Sequence, residues 1–251
     1  MALRIGTSGF VYRHWRGLFY PADLPASRWL ARYAAEFDTC ELNATFYRLP
    51  TADAVDGWRA GTPAGFTFAV KGSRYLTHVK RLKDPRAGVA RFFGLMSRLG
   101  RKLGPVLWQL PPQMKPDAER LDAFLSTLPR GRGLRHAVEL RNEEWYVDEV
   151  CAVLDAHGAA FCEHDLVRRA PPRLTGGWRY LRFHGATGKY HGRYGEDALS
   201  DTARDLLAWD RAGRDAWAYF NNDVGGHAIL DARALRALVG AGVETGAGAG
   251  T

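Results

Sequence analysis

Charged and polar side chains recur two residues apart where short apolar runs of this sequence end. The set comprises Glu41 and Asn43, Lys71, Glu139 and Arg141, Asp165, Arg182 and His184, and Tyr219 and Asn221. Side chains two residues apart share one face of a strand, so each pair points the same way. Carboxylates, guanidiniums and an imidazole on one face are the groups of acid–base catalysis and anion binding. The spacing therefore predicts a site for an anionic substrate.

Side-chain chemistry assigns roles within this set. We predict Glu139, Asp165 and His184 as catalytic residues, with a carboxylate as general base and the imidazole as acid or base. The predicted substrate-binding residues are Tyr12, Glu41, Asn43, Lys71, Arg141, Arg182, Tyr219 and Asn221. The cations among them are expected to clamp the anion. Because those cations would repel a metal ion, we predict no metal site, and the residues indicate no particular cofactor.

A purely structural interpretation of the same charges stays open. Burying a charge costs several kcal/mol per ion unless a partner compensates it. The three carboxylates could be neutralised by the three cations in an internal ion-pair lattice that binds nothing: Glu41, Glu139 and Asp165 with Lys71, Arg141 and Arg182.

Residues 73–86, SRYLTHVKRLKDPR, form the most basic segment of the chain. The predicted nucleic-acid contacts in it are Arg74, His78, Lys80, Arg81 and Lys83, beside an aromatic ring at Tyr75. Phosphate contacts of this kind would make binding depend steeply on salt. The alternative is a solvated basic face without a partner.

The elements that position these residues alternate along the chain. Eight β-rich runs occur at residues 3–8, 39–45, 66–72, 105–110, 134–141, 159–165, 178–184 and 216–221, and most are separated by amphipathic helical patterns. Strand then helix, repeated, indicates parallel strands. The sequence therefore predicts an α/β fold, a single (β/α)8 barrel of the TIM type. Such barrels carry their sites at the carboxyl ends of the strands.

Two segments depart from this alternation. The connection between strands six and seven, residues 166–177, contains Pro171, Pro172 and Gly176 and predicts a degenerate crossover without a full helix. Residues 240–251 are rich in glycine and alanine and predict a flexible tail. We thus expect one barrel domain over residues 1–239.

Composition narrows the class of protein. The chain has 251 residues, a formal charge of +8 that favours anionic partners, and no apolar run long enough to span a bilayer. The first residues lack the layout of a signal peptide, so a cytoplasmic protein without membrane contact is expected. Cys40, Cys151 and Cys162 show no metal-binding spacing and are expected to be structural thiols. The motifs GxGxxG, HExxH and GxSxG are absent.

The motifs of the chain resemble those of the YecE-like family, domain of unknown function seventy-two. They read IGTSGFVY, FYP, CELNATFYRLP, FAVKGSRYLTH, KLGPVLWQLPP, VELRNEEW, YLRFHG and YFNND, in that order. The resemblance runs from about Leu3 to Leu238 and implies a TIM-like barrel, without a known reaction. The chain differs from the family pattern at Phe10, Asn142 and Asp231, where Trp, His and Asn are common.

Taken together, the residues favour an enzyme, a hydrolase or lyase, that acts on a phosphate-bearing or other anionic substrate at the carboxyl-end mouth of the barrel. Nucleic acid is one such substrate. The alternatives are a non-catalytic nucleic-acid-binding module that uses residues 73–86, and a binding protein for a small carboxylate or sugar. The small-molecule binding protein would need a closed deep pocket and no external basic segment, and the residues alone do not separate it from the enzyme.

Overall fold

The protein is an α/β fold of parallel strands, shown by a computed structural model that describes residues 3–131 and 133–247, with only the backbone for 243–247. The strands of the described residues are β1 (Leu3–Thr7), β2 (Thr39–Leu42), β3 (Thr67–Lys71), β4 (Leu103–Gln109), β5 (His136–Glu139), β6 (Ala160–Phe161), β7 (Glu163–His164), β8 (Arg179–Phe183) and β9 (Ala216–Phe220). Each predicted β-rich run overlaps a strand, and the sixth contains two.

The helices lie mostly between consecutive strands, as the amphipathic patterns predict. They are α1 (Trp29–Ala34), α2 (Ala44–Tyr47), α3 (Ala52–Ala60), α4 (Arg86–Met96), α5 (Ala118–Ser126), α6 (Asp148–Ala156), α7 (Glu196–Arg211) and α8 (His227–Ala247). A π-helix, Tyr75–Val79, precedes α4. The described segment between His164 and Arg179 contains no helix, in agreement with the predicted degenerate connection.

The strands form two parallel sheets, ordered β2-β3-β4-β5-β6 and β1-β9-β8-β7. At one junction only Cys162 separates β6, which pairs with β5, from β7, which pairs with β8. At the other, Ser8 and Glu41 form a parallel bridge between the ends of β1 and β2. The Gly9 amide also donates to the Glu41 carbonyl oxygen at 2.8 Å. The carboxyl ends of β1 and β2 therefore lie side by side although they belong to different sheets.

Alternation along the strands separates two faces. Ala218 and Phe220 of β9 pack into the main core with the helices, whereas Trp217 and Tyr219 join a second cluster with Ala69 of β3. Small side chains such as Ala69 and Ala137 leave room on this second face for the large rings. The charged residues at the strand ends continue this face, which is the parity expected from the sequence.

The last helix corrects the predicted tail. Residues 240–247 belong to α8, and residues 248–251 lie outside the described part of the chain. Alanine is the best helix former, and Leu235 and Val239 continue a buried stripe up to this point, so the helix extends beyond residue 239. Among the described residues, no helix combines the length and the apolar character needed to cross a membrane.

A substitution at Gly72, directly after β3, tests how tightly the carboxyl ends of the strands are packed. A Cβ atom at this position would overlap the ring of Trp108, which is fully buried and cannot yield. We expect Gly72→Ala to lower the free energy of unfolding by about 1–3 kcal/mol. Gly94→Ala, in α4 where a Cβ meets open space, is the matched control and should be neutral or stabilise by up to about 1 kcal/mol. Urea unfolding measures both, and equal effects would contradict the close approach.

Candidate functional site

Arg182 of β8 lies at the centre of a buried network of charged side chains. Its side chain has no exposed surface, and each terminal nitrogen bonds a carboxylate: Nη1 donates to Glu139 Oε2 at 2.5 Å and Nη2 to Glu41 Oε1 at 2.7 Å. Nη2 also donates to Ser8 Oγ at 3.1 Å, and Nη1 lies 3.0 Å from His184 Nε2. One guanidinium thus connects the carboxyl ends of β1, β2, β5 and β8.

Both carboxylates of this network are ionised despite full burial. Burial alone would raise the pKa of Glu41, but Arg182 and hydrogen bonds from Ser8 and Tyr180 outweigh it, and the pKa falls below its ordinary value. Burial likewise opposes ionisation of Glu139, yet Arg182 and Arg141 hold its pKa well below the usual range. Tyr180 donates to Glu41 Oε2 at 2.7 Å, and Arg141 Nε donates to Glu139 Oε1 at 2.5 Å.

His184 and Asp165 form the edge of the network. Arg182 can only donate, so His184 Nε2 is the acceptor and the proton lies on Nδ1, 3.3 Å from Asp165 Oδ1. Burial lowers the pKa of His184 to about 4, although Asp165 opposes this shift. Asp165 also accepts hydrogen bonds from the His184 backbone amide at 2.9 Å and from the Tyr194 hydroxyl. His184 is therefore neutral at physiological pH.

The three residues predicted as catalytic come together, but two of them, Glu139 and His184, are enclosed in the network. The side chains of Glu139 and His184 have no exposed surface, so neither is accessible to a substrate. Asp165 is 32% exposed and lines a separate cleft of about 440 Å³ beside β7 and β8. The ion-pair interpretation describes this part of the structure better than the catalytic one.

A cleft of about 510 Å³ opens beside the network, over the carboxyl ends of β1, β2, β3 and β9, and is called the Lys71 cleft below. Six residues that line it are Tyr12, His14, Asn43, Lys71, Asn221 and Asp223. Four of them, Tyr12, Asn43, Lys71 and Asn221, are among the predicted substrate-binding residues. His14 and Asp223 were missed, although the parity that selects Tyr219 and Asn221 also selects Asp223.

Lys71, the last residue of β3, is a buried cation without a carboxylate partner. Its Nζ lies 4.1 Å from the centroid of the Phe46 ring, and it makes no ion pair or hydrogen bond with the part of the chain that the structure describes. Only 5% of the residue is exposed. Burial and the nearby Arg182 lower the pKa of Lys71 to about 7, because Glu139 and Glu41 offset them only in part.

Asp223 supplies a carboxyl group to the same cleft. Its Oδ1 accepts a hydrogen bond from the Trp15 ring nitrogen at 2.8 Å, and its Oδ2 lies 2.8 Å from His14 Nε2. Burial raises the pKa of Asp223 to about 6, opposed by the Trp15 hydrogen bond and by His14. The Lys71 cleft therefore combines an amine and a carboxyl group that both titrate near neutral pH.

The other predicted substrate-binding residues lie outside this cleft. Glu41 and Arg182 are enclosed within the network, in which Arg182 Nε is a buried donor without a hydrogen-bond partner among the described residues. Tyr219 is completely buried, and its hydroxyl lies 2.6 Å from Thr39 Oγ1 at the amino end of β2, away from the cleft. Arg141 bonds Glu139 through Nε only, and its terminal nitrogens have no hydrogen-bond partner among the described residues. Among these four, Arg141 has a partly exposed side chain with unpaired donors, whereas the other three side chains are fully buried.

The basic segment 73–86 presents some of its predicted contacts to solvent. Arg74, Arg81 and Lys83 are exposed, whereas Lys80 pairs with Asp84 at 3.3 Å. His78 is half-buried, and burial, with help from Lys71, lowers its pKa to about 4. A neutral His78 adds no charge to a phosphate site.

A groove of about 590 Å³ adjoins this segment. Arg48, Tyr75 and Arg91 line it, and Tyr75 is 52% exposed. No group of three or more His, Cys, Asp or Glu side chains suited to a metal ion occurs within residues 3–131 and 133–247.

Comparisons with known proteins agree on one family. The model of the family described as "Protein of unknown function DUF72" matches residues 4–249. The UPF0759 protein YunF of Bacillus subtilis (strain 168) is 26% identical over 88% of this chain and 89% of its own length. The UPF0759 protein YecE of Escherichia coli (strain K12) is 31% identical over 47% of this chain and 43% of its own length. The crystal structure of a DUF72 family protein from Thermotoga maritima MSB8 is 29% identical, with a TM-score of 0.85 over 96% of this chain and all of that one.

Removing the charge of Glu139 tests whether the network is structural. In Glu139→Gln, the buried guanidinium of Arg182 loses one of its two carboxylates, so we expect the free energy of unfolding to fall by about 3–5 kcal/mol. Glu149→Gln, on the exposed surface of α6, should change it by less than about 1 kcal/mol. Thermal and urea unfolding measure both variants. A Glu139→Gln protein as stable as the wild type would instead favour a solvated catalytic carboxylate.

Proposed function

The chain belongs to the DUF72 family, and from that premise we propose that its two sheets form one closed (β/α)8 barrel domain, with an enzyme active site for an anionic substrate in the Lys71 cleft. Two junctions support closure: Ser8 bridges to Glu41, and only Cys162 separates β6 from β7. Hydrogen bonds from Arg182 to Glu41 and Glu139 also join the two sheets. Active sites of such barrels lie at the carboxyl ends of the strands.

The observation that carries the proposal is the surplus positive charge of Lys71. The buried carboxylates of Glu41 and Glu139 balance the guanidiniums of Arg182 and Arg141, which leaves Lys71 uncompensated beside the cleft. An anionic group that enters the cleft would supply the missing negative charge. Buried cations are tolerated at such positions when a ligand is their counter-ion.

The remaining groups of the cleft suit acid–base chemistry. Asp223 lies 2.8 Å from His14 Nε2, and burial raises the pKa of Asp223 to about 6, so this carboxyl group can give and take a proton near neutral pH. Arg141 does not line the cleft, but it is near enough to lower the pKa of Lys71, and its positive charge adds to the attraction for an anion. We assign the acid–base role to Asp223 with His14, and a positioning role to Glu139 and His184. A hydrolase or a lyase fits this set.

The cytoplasm is the proposed compartment. Cys40, Cys151 and Cys162 are buried and free, so none of these thiols forms a disulfide. Free cysteines fit a reducing compartment, in which disulfides are rare. Thiol reactivity is not part of the proposed mechanism, since burial raises the pKa of all three thiols.

Lys71→Met tests the site without a known substrate. In the unfolded chain the lysine pKa is about 10.4, and in the folded protein it is about 7, so only the unfolded state keeps its proton between these pH values. Wild-type stability should therefore rise with pH across this window. The variant lacks this dependence and should be more stable at pH 7 by up to about 4 kcal/mol, a gap that closes towards pH 10.

Inorganic phosphate supplies the second measurement on the same proteins. We expect phosphate to raise the melting temperature of the wild type at pH 7 and to have much less effect on Lys71→Met. Lys115→Met, which removes an exposed lysine, should respond like the wild type. Equal phosphate stabilisation of wild type and Lys71→Met would exclude the cleft as an anion site.

Nucleic acid is the second candidate ligand, and one observation favours it. The exposed ring of Tyr75 and the side chains of Arg48 and Arg91 line one groove beside the basic segment 73–86. Aromatic rings that stack on bases, next to cations that contact phosphates, are typical of single-stranded nucleic-acid sites.

Replacing Lys80, Arg81 and Lys83 together by Ala tests this candidate. If the segment binds nucleic acid, oligonucleotide affinity should fall, and its logarithmic salt dependence should flatten by about one unit per lost phosphate contact. The control removes the same charge elsewhere, by Ala at Arg204, Arg211 and Arg214 in and after α7. Fluorescence anisotropy over a salt series compares the two. If both triple variants have the same oligonucleotide affinity and the same salt dependence, the basic segment 73–86 is a solvent-exposed surface that does not bind nucleic acid.

A further inference from the structure

Lys71 presents an amine that can act as a nucleophile. The residue lines the cleft, and its Nζ carries no hydrogen bond or ion pair to the described residues and lies against the face of Phe46. An amine attacks only in its unprotonated form, and burial together with Arg182 lowers the pKa of Lys71 to about 7. A neutral amine is therefore well populated at neutral pH.

We propose that Lys71 forms a covalent imine with an aldehyde or ketone group of a substrate that also carries an anionic group. This inference rests on the proposed function, since it takes the same cleft and the same anion. It adds the reacting atom, Lys71 Nζ, and the chemical class of the substrate, an anionic carbonyl compound.

The covalent step balances without an external oxidant or reductant. The nitrogen lone pair of Lys71 forms a bond to the carbonyl carbon while the C=O π electrons move to oxygen. That oxygen takes up a proton, and the nitrogen loses one, which gives a carbinolamine. A second proton transfer to the hydroxyl releases water as the nitrogen lone pair forms the C=N bond. The net change converts the amine, the carbonyl group and one proton into a protonated imine and one water, and loss of the nitrogen-bound proton returns that proton and gives the neutral imine.

The neighbours of Lys71 supply what this step requires. Asp223, with His14 at 2.8 Å, is a carboxyl group of the same cleft that can give a proton to the departing hydroxyl. Asn43 also lines the cleft, and its Oδ1 is a buried acceptor without a hydrogen-bond partner among the described residues. A protonated imine is a cation at a position already rich in positive charge. The anionic group of the substrate compensates it, as does the face of Phe46.

The six lysines of the chain provide an internal comparison: Lys71, Lys80, Lys83, Lys102, Lys115 and Lys189. An ordinary lysine with a pKa near 10.4 is neutral in roughly one molecule in a thousand or fewer at pH 7. Lys102 is the nearest structural match because its Nζ is also held within the protein, but it donates hydrogen bonds to Arg59 and Thr62 carbonyl oxygens at 2.6 Å. Its lone pair is therefore less available.

The experiment traps the imine on the wild-type protein. Equimolar pyridoxal 5′-phosphate, an anionic aldehyde, is added at pH 7 and reduced with sodium cyanoborohydride, and peptide mass spectrometry locates the label. Pyruvate, an anionic ketone, and propionaldehyde, an uncharged aldehyde, are treated in the same way. We expect at least tenfold more label on Lys71 than on any other lysine with both anionic probes, and a loss of this preference with propionaldehyde.

Variants separate the possible outcomes. Lys71→Arg should lose the selective label, Lys102→Arg should keep it, and Asp223→Asn should slow trapping severalfold without moving it to another lysine. Labels spread over the exposed lysines, or an equal preference for propionaldehyde, would overturn the inference. If phosphate still stabilises the wild type and not Lys71→Met in that case, the anion site stands and only the imine is excluded. If phosphate also stabilises the wild type and Lys71→Met equally, both the imine and the proposed anion site are excluded.

Discussion

The arrangement of the strands at their carboxyl ends depends on one guanidinium, which is completely buried between two carboxylates. Arg182 bonds Glu41 and Glu139 at 2.7 and 2.5 Å, and so it fixes the ends of β2, β5 and β8 relative to one another. Burying these three charges would cost several kcal/mol each if they were alone. They persist because every ion has partners, with Ser8 and Tyr180 completing the shell of Glu41.

The same balance explains why Lys71 differs from its neighbours. Once Arg141 has joined Arg182 in compensating the two carboxylates, no negative charge is left for the lysine, and burial lowers its pKa to about 7. A site that pairs most of its charges can still fold with one uncompensated cation, and this cation is the basis of the proposed anion site. The uncompensated charge costs stability, as is common at functional positions.

Environment rather than residue type therefore divides the polar residues of the strand ends into two groups. Glu139 and His184 have the side chains of a general base and acid, but the structure encloses both, and burial keeps His184 neutral. Asp223 and Lys71 reach an open cleft, and their pKa values, about 6 and about 7, lie near physiological pH. Groups with perturbed pKa values in a cleft are the better candidates for chemistry.

The sequence by itself determined the parallel α/β architecture, the degenerate connection before β8 and the set of polar strand ends, because strand parity and helical periodicity are local properties of the chain. Composition misjudged residues 240–247, where alanine continues α8. Only the tertiary structure decided which charges are paired. Glu139 is paired with Arg182, which is 43 residues away along the chain, so only the folded structure shows that this carboxylate is not in solvent. The pKa of Lys71 is lowered by burial and by Arg182, which also depend on the folded structure. Burial and pairing are properties of the assembled strands, so no local pattern encodes them.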